Sequence, residues 1–188
     1  RFYDIQSGNI LIDGQDIRSV TLSGIIDEAS NFAAQQGDLD LLLRMRVWCS
    51  SLLENNLAAN AMPYIIEGVI KYAVDKKSPA SLEEAYKIAK DMSDPALRAQ
   101  QFGRIAECFV IIGCILLNEP PLNRDPETFE SEIYPFERGL TIIKEHVKKP
   151  RISLKIAGMI DILISYSNVS NNPDYAIPLA MYAVEIEN

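Results

Sequence analysis

Three cysteines and one histidine are the residues of this 188-residue chain best suited to nucleophilic chemistry. A catalytic thiol needs a base beside it, because the thiolate and not the thiol attacks. Cys49, Cys108 and Cys114 have no CxxC spacing and fall inside apolar segments. His146 falls near the end of a helical pattern, where an imidazolium also favours the negative end of the helix dipole. This distribution points to buried, reduced thiols of a cytosolic protein, not to a Cys–His nucleophile or a disulfide framework. Carboxylates come in pairs at Asp27-Glu28, Glu83-Glu84 and Glu130/Glu132. Neighbours on a helix diverge by about 100° per residue and seldom chelate together. With a single His and no ExxH motif, no dedicated metal site is expected, and the acidic pairs read as solvated helix faces. No catalytic, cofactor-binding or metal-ligating residue is assigned.

Lys144, Lys148, Lys149 and Arg151 form the one basic cluster. It suits a helix C-terminus and the start of the next helix better than an acidic partner. Asn168-Val-Ser170 fits a glycosylation sequon, without a secretory context to support its use. Tyrosines 64, 72, 86, 134, 166, 175 and 182 are spread through the helical segments. Their rings suit packing, with a lining role in a groove as the alternative.

The chain is 48% hydrophobic and 23% charged, an ordinary globular composition with length enough for a sizeable core. Its net charge is −8 and its pI about 4.7. That argues against non-specific nucleic-acid binding, which needs clustered cations, and equally against anionic membrane surfaces. The longest apolar run, Cys108 to Leu117, is about half of what spans a bilayer, so it reads as a helix buried on all sides. Arg1 opens no signal peptide. The absence of an initiating Met and of an obvious ending at Glu187-Asn188 suggests a piece of a longer chain.

From Thr21 onward, apolar residues recur three and four apart, the signature of amphipathic helices. Eight are expected. The first spans about 22–36 and ends at Gly37. The second starts at Asp38 as N-cap, and the third covers about 58–74 with Pro63 in its first turns or at its true start. Ser78-Pro79 opens the fourth, to about Met92. Asp94-Pro95 opens the fifth, to about Leu117, with Pro at the first helical position, where its missing N–H costs nothing. A Pro-rich loop over 118–125 follows. Asp125-Pro126 opens the sixth, to about Val147; the seventh spans about 151–169 and the last runs from Asn172-Pro173 to about Glu187. Phe109, Ile112 and Leu116 share one face of the fifth helix and are expected in the core.

The segment ahead of these helices differs in kind. Ser7-Gly8, Ile10-Leu11-Ile12, Asp13-Gly14, Asp16-Ile17 and Thr21-Leu22 fall in the order found just after the phosphate-loop helix of ABC-transporter ATPases, and residues 1–22 resemble that stretch. The resemblance implies no ATPase here, because no GxxxxGK[ST] loop, LSGGQ-type signature or strand ending in Asp-Glu occurs in the chain. Read by itself, the segment is a short apolar strand, an Asp-Gly turn and a return strand, a β-hairpin-like or irregular appendage over 1–21. A natural remnant, a gene-fusion scar and an expression artefact are all open as its origin.

The remainder, 22–188, carries a weak repeat. Leu82…Ala85…Ala89 and Tyr175-Ala176…Ala180…Ala183 place small residues on one helix face after a long apolar helix and a turn, with Gly139 at a middle copy. This resembles the second helix of a tetratricopeptide repeat, without the strict 34-residue period. The resemblance implies an all-α, right-handed superhelix of antiparallel helix pairs, with a non-repetitive bundle as the alternative. The function expected is a non-enzymatic scaffold holding a protein or peptide partner in a concave groove. Two further readings stay open: an all-α small-ligand protein or enzyme with its pocket between helices, and a fragment of an ABC-ATPase-related polypeptide.

Overall fold

The starts of four described helices are set by side chains that accept from backbone N–H groups with no partner inside the helix. In the computed structural model the described residues are 11–12, 15–16, 21–51, 55–118 and 126–146. Thr21 caps α1 (Leu22–Gln36), its Oγ1 accepting from the Gly24 N–H at 3.1 Å. Asp38 Oδ1 accepts from the Leu41 N–H at 2.8 Å and opens α2 (Leu39–Ser51). After α3 (Asn55–Asp75), Ser78 caps α4 (Pro79–Lys90). Asp94 Oδ1 accepts from Ala96 and Leu97, at 2.7 and 3.1 Å, at the start of α5 (Pro95–Asn118). Like α4 and α5, α6 (Pro126–His146) carries Pro at its first position, where fixed φ favours the helix and no N–H is lost.

The end of α1 shows why Gly37 is needed. It adopts φ 69°, and its own N–H and that of Asp38 return to Ala34 O and Ala33 O at 3.1 and 2.9 Å. Only glycine enters this left-handed conformation without steric cost.

Six of the expected helices are thus present, and the described part is all-α apart from a short antiparallel pair. In that pair β1 (Leu11–Ile12) lies against β2 (Gln15–Asp16), with Leu11 opposite Asp16. The seventh and eighth expected helices, the Asp125 cap and the rest of the appendage lie outside the described residues. One boundary is corrected. α3 begins at Asn55, not near 58, so Pro63 sits in the helix interior. A proline there forfeits one backbone bond, which the burial of Ala61, Ile65 and Ile66 around it offsets.

Consecutive helices pack against each other, and α1, α3 and α5 also pack in succession. α3 is central: Ile65, Ile66, Val69, Ile70 and Ala73 are buried between α1, α2, α4 and α5. Small residues set the closest approaches. A Cβ on Gly68 would lie 2.7 Å from Leu42 Cδ2 and 3.0 Å from Ser30 Cβ, so glycine lets α3 close on α1 and α2. Gly113 receives the Phe136 ring in the same way, and Gly139 lies against the Ala106 carbonyl. Ala85 and Ala89, the small residues of the weak repeat, are both buried. Phe109 and Ile112 are buried as expected, whereas Leu116 is only partly buried. Among the described residues, no helix is long and apolar enough to cross a membrane.

Candidate functional site

α4 and α6 do not pack face to face; long side chains bridge them. Glu83 of α4 lies opposite Tyr134 and Arg138 of α6, and Tyr86, one turn further along α4, lies opposite Arg138 and His146. Rising numbers pair with rising numbers, so the two helices run in the same direction, as alternate helices of an up-and-down array do.

The bridge has two parts. Arg138 donates to both oxygens of Glu83, Nε to Oε1 at 2.6 Å and Nη2 to Oε2 at 3.0 Å, and Tyr134 adds its hydroxyl to Oε1 at 2.7 Å. A planar guanidinium suits this side-on geometry better than a lysine would. The second part is aromatic. The Arg138 guanidinium lies 4.4 Å from the centre of the Tyr86 ring. The Tyr86 hydroxyl shares a 2.9 Å hydrogen bond with His146 Nε2, whose ring stacks on Phe102 of α5 at 4.0 Å. Together they tie three helices through residues no motif would group.

Electrostatics follow from these contacts. Partial burial works to raise the Glu83 carboxyl. The hydrogen bonds from Arg138 and Tyr134 and the charges of Arg138 and Lys87 outweigh it and hold the carboxyl below the usual carboxylate value. Burial and the bond to Glu83 push the Tyr134 hydroxyl up to about 12. Glu83 holds Arg138 firmly charged. Both oxygens of Glu83 already accept hydrogen bonds from α6, so this carboxylate acts as an anchor and is badly placed to take a proton from a substrate. Burial raises the Cys49 thiol, which disfavours the nucleophilic thiolate.

Beside the bridge lies an open cleft of about 650 Å³, lined by Pro79, Ala80, Glu83, Glu84, Lys87, Leu116 and Tyr134. Its walls are the start of α4 and the third turn of α6, and its floor is the end of α5. Tyr134 is 39% exposed and lines the cleft, with its hydroxyl tied to Glu83. Glu84 is paired with Lys87 at 2.6 Å. The remaining lining is apolar.

The residues singled out by chemistry in the sequence fall elsewhere or play other parts. His146 closes α6 as expected, and its ring belongs to the aromatic clasp with Tyr86 and Phe102. Cys49 and Cys108 are buried in α2 and α5; the Cys114 side chain lies outside the described residues. Glu83 and Glu84 diverge as adjacent helical residues must, but Glu83 does not sit on a solvated face: it is the partly buried anchor of the bridge, which corrects that expectation. Asp27 accepts from Asn31 Nδ2 at 3.1 Å within α1. The side chains of Glu130, Glu132 and Lys144, and all of Lys148, Lys149 and Arg151, lie outside the described residues. Among the described residues, no group of three or more His, Cys, Asp or Glu is placed to hold a metal ion. Of the tyrosines, Tyr134 lines the cleft and Tyr64 is exposed on α3. Nothing in the sequence marks Arg138 or Tyr134, because the partner that gives them a role is some fifty residues away. Compared with protein families, with curated proteins and with solved structures, the chain matches none.

Proposed function

We propose that this chain is a non-enzymatic α/α scaffold, built on tetratricopeptide-like helix pairs, that binds a peptide segment of a protein partner in the cleft between α4 and α6. The observation that carries the reading is the cleft itself: an open apolar trough between two parallel helices, held apart by a rigid salt bridge and presenting a pinned tyrosine. A pre-formed wall loses little entropy on binding, and a tyrosine fixed by its hydroxyl is a good anchor contact. The packing of α1, α3 and α5 in succession supports the superhelical arrangement, since alternate helices of one layer stack this way in such arrays. Openness favours an extended or helical segment over an enclosed small molecule. The assignment of function to fold is analogy, and the cleft is what makes it specific. Selection of a displayed random peptide library on the full chain tests it. Binders should emerge whose affinity falls by about tenfold or more, about 1.4 kcal/mol, in Tyr134→Ala. A library that yields no binder, or binders indifferent to Tyr134→Ala, overturns the reading.

A further inference from the structure

Among the described residues, six large hydrophobic side chains are exposed, and four of them, Ile25, Phe32, Val47 and Trp48, stand on α1 and α2. Three of the four face one way. Ser30 and Asn31 of α1 meet α3 at Gly68 and Lys71. Helical residues advance by about 100° each, so Ile25, five before Ser30, and Phe32, two after it, point about 140° and about 160° away from that contact. Arg46 of α2 reaches Asp91 at the end of α4 at 2.5 Å, so Trp48, two residues on, points away from α4. Ile25, Phe32 and Trp48 therefore share the end of the stack that precedes α3 and α4. A stack of helix pairs needs a polar surface where its end meets water. This end is apolar.

Its charges are divided between the two helices. α1 carries Asp27 and Glu28 and no Lys or Arg, whereas α2 carries Arg44 and Arg46 against one acid, Asp40. Asp27 is bonded to Asn31 and Arg46 to Asp91. Glu28 is exposed, and Arg44 meets only Asp40, in a pair whose side chains are 67% and 79% exposed and which contributes little. The helices form a hairpin about Gly37 and Asp38. Glu28 and Arg44 stand nine and seven residues from Gly37, and so at nearly the same level along it.

We propose that this end face joins two copies of the chain, about a twofold axis along the α1–α2 hairpin that lays α1 of one copy over α2 of the other. The occupant is a second copy because the face complements itself. The rotation sets the acidic helix on the basic one, makes the Glu28–Arg44 contact twice, and covers Trp48 of each copy with Ile25 and Phe32 of the other. Two helices of about 20 Å, set about 10 Å apart, offer roughly 400 Å² per copy, the small end of specific interfaces. The net charge of −8 on each copy also opposes association. The dimer is therefore weak, half-formed at a concentration on the order of tens of micromolar.

Trp48 is the chain's one tryptophan, so its fluorescence reports on this face alone. Sedimentation of the full chain in about 150 mM salt should rise from 21.0 kDa toward twice that mass between about 5 and about 300 μM. The Trp48 emission should move to shorter wavelength over the same range. Phe32→Ser, which falls on both sides of the interface, should weaken association by about tenfold or more. Glu28→Arg and Arg44→Glu should each weaken it by about threefold or more, and the two together should restore it, because the proposed rotation sets these side chains opposite each other. A chain that stays at 21.0 kDa at every concentration overturns the inference, whether residues 1–19 or a different protein covers the face. A dimer that leaves the Trp48 emission unmoved, or that the double charge reversal fails to restore, overturns it too. The cleft between α4 and α6 takes no part in these readouts, so the peptide site stands or falls separately.

Discussion

Arg138 meets Glu83 side-on across 55 residues of sequence, with Nε and Nη2 each bonded to one carboxylate oxygen at 2.6 and 3.0 Å. Both side chains are mostly buried, and the same guanidinium covers the Tyr86 ring. The pair holds α4 and α6 at the spacing that leaves the cleft open beside them.

The pair should therefore be worth more than an exposed ion pair and less than a fully buried one. Removing either partner alone, as Glu83→Ala or Arg138→Ala, is expected to cost about 1–3 kcal/mol, since it strands the other charge in a partly dry site. A double-mutant cycle in urea should return a coupling of about 1–2 kcal/mol. Strict additivity of the two losses would show that the contact contributes nothing to stability.

The bridge also sets the pH dependence of stability at both extremes. The Glu83 carboxyl is held below its ordinary 4.5, so it contributes stability that is present above that value and disappears as pH falls through the lowered one. Tyr134 works in the opposite sense. Its hydroxyl is raised from 10.0 to about 12, so its contribution is intact below pH 10 and is lost as pH rises toward 12. Urea melts between about pH 3 and pH 11 should show both losses in the parent. Glu83→Gln should flatten the acid limb, and Tyr134→Phe the alkaline one. An acid limb unchanged in Glu83→Gln would place its origin in other carboxylates.

These features differ in how far the sequence announces them. Caps are local: Asp38, Asp94 and Ser78 each act within three residues, so spacing alone located the starts of α2, α5 and α4. Pro63 reads as a breaker and draws the expected start of α3 too late, whereas the packing of α3 between four neighbours overrides the one bond it forfeits. Leu116 shows a different limit. It shares a helical face with Phe109 and Ile112, but what that face meets changes along α5. Phe109 and Ile112 lie in the core, and Leu116 emerges where α4 and α6 separate. Glu83 and Arg138 were invisible as a pair because their meeting depends on how alternate helices stack.

α1 carries the next prediction. Its outer face shows Ile25, 52% exposed, and Phe32, 59% exposed, seven residues apart and so on one side. Its inner face packs on α3, and its cap is Thr21. A chain beginning at Val20 keeps that cap and all of the α1–α3 contact. It is expected to retain its helical circular dichroism and to melt cooperatively within a few degrees of the full chain. Loss of solubility, or a melt far lower, would mean that residues 1–19 cover Ile25 and Phe32 as the terminal cap such arrays require.

Gly113 gives the sharpest packing test. Glycine inside a helix normally costs about 1 kcal/mol relative to alanine, so Gly→Ala at an ordinary helical site stabilises. At Gly113 the new methyl would lie 2.7 Å from both Cε2 and Cζ of Phe136, closer than nonbonded carbons approach. Phe136 is itself buried in α6, and close-packed interiors leave few voids for a ring to retreat into. The clash should win, leaving Gly113→Ala less stable than the parent by about 1–3 kcal/mol. Phe136→Leu alone should also be destabilising, through the volume it deletes. Combined, the two changes should lose less than the sum of their separate costs, because the smaller side chain vacates the space the methyl needs. Urea denaturation of the four proteins decides it. A Gly113→Ala variant as stable as the parent or more so would show that α5 and α6 shift apart at no cost, and that Gly113 does not set their approach.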